Sequence, residues 1–174
     1  MANAVVHVSD RLCIAECQSI AINFWRGIPH RADWQEAVRH LGSLHRRFPA
    51  GIFALVVFPL PPTLSIREIE FDRKEMEIVA RQFVALGRGC ASVIEGSGFV
   101  GATVRSVVSG LTLITRPPFP SRIFDSVTEA IHWLAPQVMP RPTPSFMREL
   151  DLAVTSAREA TRMVPPRAAA GGAS

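Results

Sequence analysis

Five short runs of apolar, β-branched and aromatic residues predict the strands of a sheet, because such runs bounded by turn residues suit a pleated, buried surface. The first two runs are separated by only a residue or two, which predicts an antiparallel hairpin. The third is apolar throughout, as in a central strand that is covered on both faces. The runs are residues 12–17, 19–25, 52–58, 90–95 and 122–124, and residues 5–8 offer a further edge strand.

The second run predicts a strand with two distinct faces. Successive side chains of a strand point to opposite sides, so Ile20, Ile22 and Phe24 share one face. The residues between them, including Asn23, share the other face with Trp25.

Between the predicted strands, apolar residues recur every three or four positions and predict amphipathic helices. The first helix begins near Asp33 and the second near Asp72, each followed three residues later by a glutamate, as in a capping box. The third covers residues 100–114, where two prolines end it, and the fourth covers residues 127–134. The inward positions of these elements predict a core that includes Phe58, Met76, Phe83, Val93 and Val107.

The order of these elements predicts one α/β domain over residues 5–138. Its mixed sheet of about five strands starts with the antiparallel hairpin and continues as β-α-β-α-β-α-β-α. Prolines from Pro136 to Pro144 then mark a linker, so residues 139–164 form a proline-rich linker and an amphipathic C-terminal helix. Residues 165–174 are small and polar and are expected to be a disordered tail.

The C-terminal helix is expected to begin at Ser145 and to carry few large apolar side chains. Phe146, Leu150 and Val154 lie at positions i, i+4 and i+8, so one side of its first half can dock on its own domain, on a second copy or on a partner. Beyond them the apolar stripe is mostly alanine. We therefore expect the helix to fray after Ala160 and to be dispensable for folding of the α/β domain.

Composition narrows the class of protein. The 174 residues suffice for one domain with a sizeable core and a tail. The net charge of +4 comes from arginines that are mixed with acids, and tyrosine is absent, so we interpret the charge as a solvated surface and expect no nucleic-acid partner.

Three cysteines without C-x-x-C spacing, Cys13, Cys17 and Cys90, predict free core thiols in a reducing compartment. No signal peptide and no apolar run long enough to span a bilayer is visible, so a cytoplasmic location without a transmembrane segment is expected.

A glycine turn is the sharpest chemical motif of the chain. Gly96, Gly98 and Gly101 match the dinucleotide fingerprint G-x-G-x-x-G, and Asp125 follows near the position of a ribose-binding acid. The turn follows the fourth strand of the domain, however, and only one strand comes after it, so the second half of a dinucleotide site has no room. We expect no NAD or FAD. Free N–H groups around Gly96, Ser97 and Gly98 still suit a phosphate, sulfate or carboxylate, or a partner.

The remaining reactive residue types are scattered. The five histidines have no metal-binding spacing, and neither H-E-x-x-H nor G-x-S-x-G occurs. Without a clustered acid, base and nucleophile, we expect no catalytic residues, no metal and no cofactor, hence no enzyme.

The late elements of the domain carry a resemblance to a known superfamily. The strand at residues 91–95, the helix at 100–114, the strand at 122–124 and Glu129-Ala-Ile-His-Trp-Leu134 occur in the order found in the STAS-like superfamily. Its members include bacterial anti-sigma-factor antagonists and lipid-binding CRAL-TRIO-like domains. The resemblance implies a STAS-like fold and a non-catalytic, cytoplasmic regulatory module that signals through protein partners or self-association.

The resemblance also points to a loop. In the regulatory branch, a serine or threonine beside Asp-Ser-Gly opens the helix after the third strand. Thr63 and Ser65 are the nearest candidates for phosphorylation here, although the loop lacks that aspartate and glycine. The alternative function is a small-molecule binding protein or enzyme that holds an anionic or lipid-like ligand at the turn of residues 96–101.

Overall fold

The computed structural model describes residues 5–26, 31–59, 73–96 and 98–164. This part of the chain contains six strands and five helices. In chain order they are β1 Val5–Val8, β2 Leu12–Cys17, β3 Ile20–Trp25, α1 Arg31–Arg47, β4 Ile52–Pro59, α2 Arg73–Leu86, β5 Gly87–Glu95, α3 Gly98–Thr115, β6 Ser121–Phe124, α4 Val127–Val138 and α5 Pro144–Met163.

All six strands belong to one mixed sheet, in the order β1-β2-β3-β4-β5-β6. The first three strands pair antiparallel, and β3 to β6 pair parallel. The predicted α/β class, the N-terminal hairpin and the C-terminal helix are thereby confirmed. The count is six strands and not about five, because residues 5–8 pair with β2 as an edge strand.

The sequential strand order decides where the helices lie. Each parallel crossover moves one strand further in the same direction, and β-α-β crossovers are almost always right-handed, so α1, α2 and α3 are placed on one face of the sheet. On this α1–α3 face, Leu12 and Ile14 pack with Trp34 and Val104. The opposite, α4–α5 face is covered by the last two helices.

Alternation along the strands divides the core as the sequence predicts. Ile20, Ile22 and Phe24 of β3 belong to the cluster under α4 and α5. Asn23 and Trp25 face the other way, towards α1–α3. Because every strand alternates in this way, one sheet separates two apolar layers.

The predicted core is confirmed in part. Phe58 and Val93 are buried, whereas Phe83 and Val107 are only half-buried. In α3, Val104 and Val108 lie on the same predicted apolar side as Val107 and are buried, so the inward side of this helix is confirmed apart from Val107. The side chain of Met76 lies outside the described residues, as does Asp72, the predicted start of the second helix.

Two helix starts differ from the predicted ones. Helix α1 begins at Arg31, and Asp33 lies within its first turn, where its carboxylate accepts a hydrogen bond from Ser9 Oγ (3.3 Å). Helix α5 begins at Pro144, whose fixed φ suits the first helical position. Its N-cap is Thr143 and not Ser145, because Thr143 Oγ1 accepts the hydrogen bond from the backbone N–H of Phe146 (3.2 Å).

Helix α5 extends beyond Ala160, the residue after which we expect fraying. The helix continues to Met163, and Thr161 is buried. The Arg26 guanidinium donates hydrogen bonds to the carbonyl oxygens of Thr161 and Val164. A cation at this position satisfies carbonyls that have no partner within the helix and complements the negative end of the helix dipole.

Candidate functional site

A cavity of about 140 Å³ lies between the α1–α3 face of the sheet and its covering helices. Its floor contains a row of small side chains: Ala54 of β4 is in register with Cys90 of β5, which is in register with Ser121 of β6. Ala37 of α1 and Ala80 of α2 also line it. Small side chains on facing elements leave space that larger ones would fill, so the cavity follows from the residue types.

Aromatic rings stand at two sides of this space. The Trp25 and Trp34 rings lie 4.3 Å apart between centroids, near the carboxyl end of β3. The Phe83 and Phe119 rings meet edge to face at 5.3 Å and pack beside Gly87, at the amino end of β5. Both pairs line the cavity and bracket it along the strand direction. Such a shape suits a planar, largely apolar ligand.

Two buried polar groups beside the cavity lack protein partners. Asn23, which is 6% exposed, lines the cavity, and its Oδ1 has no hydrogen-bond partner among the described residues. The Trp34 indole Nε1 is buried and unpartnered in the same way. A buried donor or acceptor without a partner costs about 1–3 kcal/mol. Native interiors rarely keep such groups unless a water molecule or a ligand satisfies them.

The cavity is electrically neutral along its described lining. No aspartate, glutamate, lysine, arginine or histidine is among these lining residues. Burial raises the pKa of the Cys90 thiol to about 11, with Ser92 and Ser121 opposing that shift through hydrogen bonds. A thiol in this state is protonated at neutral pH and is a poor nucleophile. The arrangement therefore suits binding better than covalent catalysis.

The predicted glycine turn lies outside the cavity, and two of its glycines are required by the local backbone geometry. Gly98 has φ +74°, which favours glycine. A Cβ on Gly101 would lie 2.4 Å from the Gly96 carbonyl oxygen, so only glycine lets α3 approach this closely. Ser97 lies outside the described residues. None of the described turn residues lines the cavity.

Asp125, the candidate ribose-binding acid, has a protein partner. The Arg105 guanidinium donates a hydrogen bond to its carboxylate and another to the Gly96 carbonyl oxygen (3.2 Å). Arg105 thus ties the end of β6 to the end of β5. Whether the turn binds an anion or a partner stays a prediction, since its geometry is explained by packing and by this arginine.

The other predicted site residues fall into two groups. Thr63 and Ser65 lie outside the described residues. Phe146, Leu150 and Val154 are buried on the α4–α5 face, in one cluster with the sheet. Helix α5 would have to leave the sheet before these three side chains could bind a partner.

Sequence reasoning missed the cavity residues, although one local signal was present. Asn23 interrupts a strand that is otherwise apolar and buried at every position. A polar residue inside such a strand needs an explanation, because its desolvation must be offset. The row of Ala54, Cys90 and Ser121 has no comparable signal, since the three residues come from distant parts of the chain.

The third helix has an additional property. Among the described helices, α3 is long and apolar enough to cross a membrane by length and composition. A single helix of this kind is weak evidence, because core helices of soluble proteins pass the same test. Its side chains nevertheless include the exposed Phe99 and Leu113, which are 71% and 74% accessible.

The chain matches no protein-family model, and no significant match was found among curated proteins or among solved structures. The function must therefore be argued from the site itself.

Proposed function

We propose that this chain is a non-catalytic binding protein that holds a small, largely apolar molecule between its sheet and helices α1 to α3. One observation carries the proposal. A cavity of about 140 Å³ coincides with two buried polar groups, on Asn23 and Trp34, that have no partner among the described residues. A well-formed, mostly apolar cavity with a few polar groups is the usual form of a small-molecule site.

Energetics support a functional role for this space. Apolar side chains beside this unfilled, partly open space lack van der Waals contacts that a filled core would give them, which costs folding free energy. The unpartnered groups add to that cost. Domains of this size are stable by only about 5–15 kcal/mol, so the cost is a considerable fraction of the total. A ligand that fills the space and meets the polar groups offsets it.

The neutral lining supports binding of the ligand without its conversion. An acid or base catalyst needs an ionisable side chain within reach of the ligand. The described lining offers only the Cys90 thiol, which burial keeps protonated. A small-molecule binding protein is the alternative function that the sequence allowed, but here the ligand lies in the cavity and not at the glycine turn.

The test measures melting temperature and calorimetric binding with benzene as a minimal apolar probe. Ala54→Leu and Ala80→Leu place extra carbon atoms in the cavity, and Ala102→Leu adds the same group at an exposed position of α3. We expect benzene to raise the melting temperature of the parent and of Ala102→Leu, and to lose this effect in the two filled variants. Equal responses in all four proteins, or no response in the parent, would contradict the proposal.

A regulatory interaction module of STAS-like type is the second candidate. It is favoured by the apolar side chains that α2 and α3 leave exposed, Ile78, Phe99, Leu113 and Ile114. Exposed apolar side chains mark an interaction surface where they form one contiguous patch. Co-purification with mass spectrometry and a sedimentation measurement test this candidate. We expect Phe99→Glu with Leu113→Glu to abolish any partner or self-association, and Val6→Glu, at an exposed position of β1, to leave it intact.

A further inference from the structure

The size of the cavity restricts its ligand to about one ring. Its volume is about 140 Å³. An engineered apolar cavity of about 150 Å³ in another protein takes up benzene, so a six-membered ring with a small substituent is the right scale. The Trp25–Trp34 and Phe83–Phe119 pairs offer ring faces and edges at either side of such a molecule.

The charge of the lining excludes ionised ligands. Among the described lining residues, the polar ones are Asn23, Cys90, Ser92, Thr112, Thr115, Ser121 and the Trp25 and Trp34 indoles. None of them carries a charge that could balance a carboxylate or an ammonium group. A buried ion without a counter-charge loses its hydration and gains no ion pair in return, so the free energy of binding strongly favours an uncharged molecule.

The unpartnered atoms specify what the ligand carries. Among the residues that the structure describes, Asn23 Oδ1 is an acceptor without a donor, and Trp34 Nε1 is a donor without an acceptor. A ligand group that both donates and accepts, of which a carboxamide is the simplest, matches the two kinds of atom. Ser92, which is buried on β5, two strands away from Asn23 in the sheet, adds a hydroxyl to the same floor.

We infer that the cavity selects an uncharged, ring-sized molecule that bears a group able both to donate and to accept a hydrogen bond. This inference rests on the proposed function, since it names the ligand class of the same site. It goes further by excluding, from the cavity, anionic ligands of the kind that the glycine turn suggested.

Three probes of nearly equal shape separate the possibilities: benzene, benzamide and benzoate. Binding is followed by calorimetry and by tryptophan fluorescence in a Trp133→Phe background. That change leaves Trp25 and Trp34, both in the cavity lining, as the remaining tryptophans of the three. We expect benzamide to bind about tenfold more tightly than benzene. We expect benzoate to bind at least about a hundredfold more weakly than benzamide.

Two variants assign the preference to named atoms. Asn23→Leu removes the amide with little change in volume, and Trp34→Phe removes the indole N–H and keeps a ring. We expect either change to reduce the ratio of benzamide to benzene affinity towards one, while benzene still binds. The ratio is read within each variant, so a general loss of stability does not imitate the result. Thr128→Val, at an exposed position of α4, is the matched control and should keep the parent ratio.

The outcomes separate this inference from the proposed function. If benzene binds and Ala54→Leu abolishes it, but benzoate equals benzamide or the ratio survives both variants, the ligand class is wrong and the site remains. If none of the three probes binds in the parent, the proposed function fails and the inference fails with it.

Discussion

The two faces of the sheet use the same strands but differ in how completely they are packed. On the α4–α5 face, apolar side chains from every strand but the edge strand β1 form one buried cluster with both helices. Hydrogen bonds from Arg26 to its last turn also hold helix α5 in place. An Arg158–Glu95 ion pair does the same, with both terminal guanidinium nitrogens donating to the carboxylate. On the α1–α3 face, a cavity remains beside Asn23 Oδ1 and Trp34 Nε1, which have no partner among the described residues, and Phe99 and Leu113 of α3 are exposed. On the α4–α5 face, Gln137 Oε1 of α4 is likewise without a partner among these residues.

This difference assigns different tasks to the two layers. Dense packing of apolar groups is the main source of folding free energy, and the α4–α5 face supplies it through this cluster. Cavities and unsatisfied groups lower stability, and proteins keep them where function needs them. We therefore expect substitutions on the α4–α5 face to cost stability, and selected ones on the α1–α3 face to increase it.

Removal of α5 should have the largest effect. Truncation after Val138 deletes Phe146, Leu150 and Val154, each of which contributes about 1.5–3 kcal/mol by burial. Their sum approaches the total stability of a small domain, so we expect an insoluble or non-cooperatively unfolding product in thermal and urea denaturation. Truncation after Val164 is the control and should match the full chain. A cooperative, soluble 1–138 fragment would mean that the α4–α5 face is not the stabilising layer.

The next largest effect is expected at Leu150. This side chain is fully buried between α5 and the sheet, and Leu150→Ala should cost about 2–5 kcal/mol in urea unfolding. Leu152 lies on the same helix but is 60% exposed, so Leu152→Ala should stay within about 0.5 kcal/mol of the parent. Similar losses at both positions would show that α5 is docked through a different side.

On the opposite face the sign should reverse. Asn23→Leu replaces an amide whose Oδ1 has no partner among the described residues with an apolar group of similar size, so in the absence of ligand we expect a gain of about 1 kcal/mol in the free energy of unfolding. Chemical denaturation at neutral pH measures it. A loss of more than about 1 kcal/mol would indicate that the Asn23 amide stabilises the fold, and the two faces would then be alike.

The smallest expected effect depends on pH. Burial lowers the pKa of His40, with Arg47 and His7 acting in the same direction and the Glu16 carboxylate, 2.9 Å from Nε2, opposing them. A lowered pKa in the folded state means that unfolding takes up protons. The stability that the neutral imidazole contributes is therefore complete above about pH 6.5 and is lost as the pH falls through the lowered pKa.

Urea unfolding at a series of pH values from about 5 to 7.5 checks this expectation. The free energy of unfolding should decrease towards acid pH in the parent and decrease less in His40→Gln. The pKa of His7 is lowered in the same way, by burial and by Arg39, with Asp33 opposing, so the double variant with His7→Gln should flatten the profile further. If the free energy of unfolding depended on pH equally in the parent and in both variants, the two histidines would not be the cause of that dependence.

The local pattern of residues by itself determined the elements, their order and the fold class. Alternation in β3 and the three-to-four-residue spacing of the helices are local properties, because each reflects which side of a single element is buried. The hairpin followed from two apolar runs with almost nothing between them. The inward faces were predicted only in part: in α3, Val104 and Val108 are buried but Val107 is half-buried, and Phe83 lines a cavity where a packed core was expected.

Only the tertiary structure decided which distant residues meet. The row of Ala54, Cys90 and Ser121 exists because strand register aligns them, and no local pattern encodes that register. Similarly, the stripe of α5 marks a buried side without saying what covers it. The glycine turn is a local motif, but Arg105 and Asp125 come together only in the fold. A cavity is the space left where two packed surfaces do not fill each other, so it exists only once the tertiary structure has brought both surfaces together.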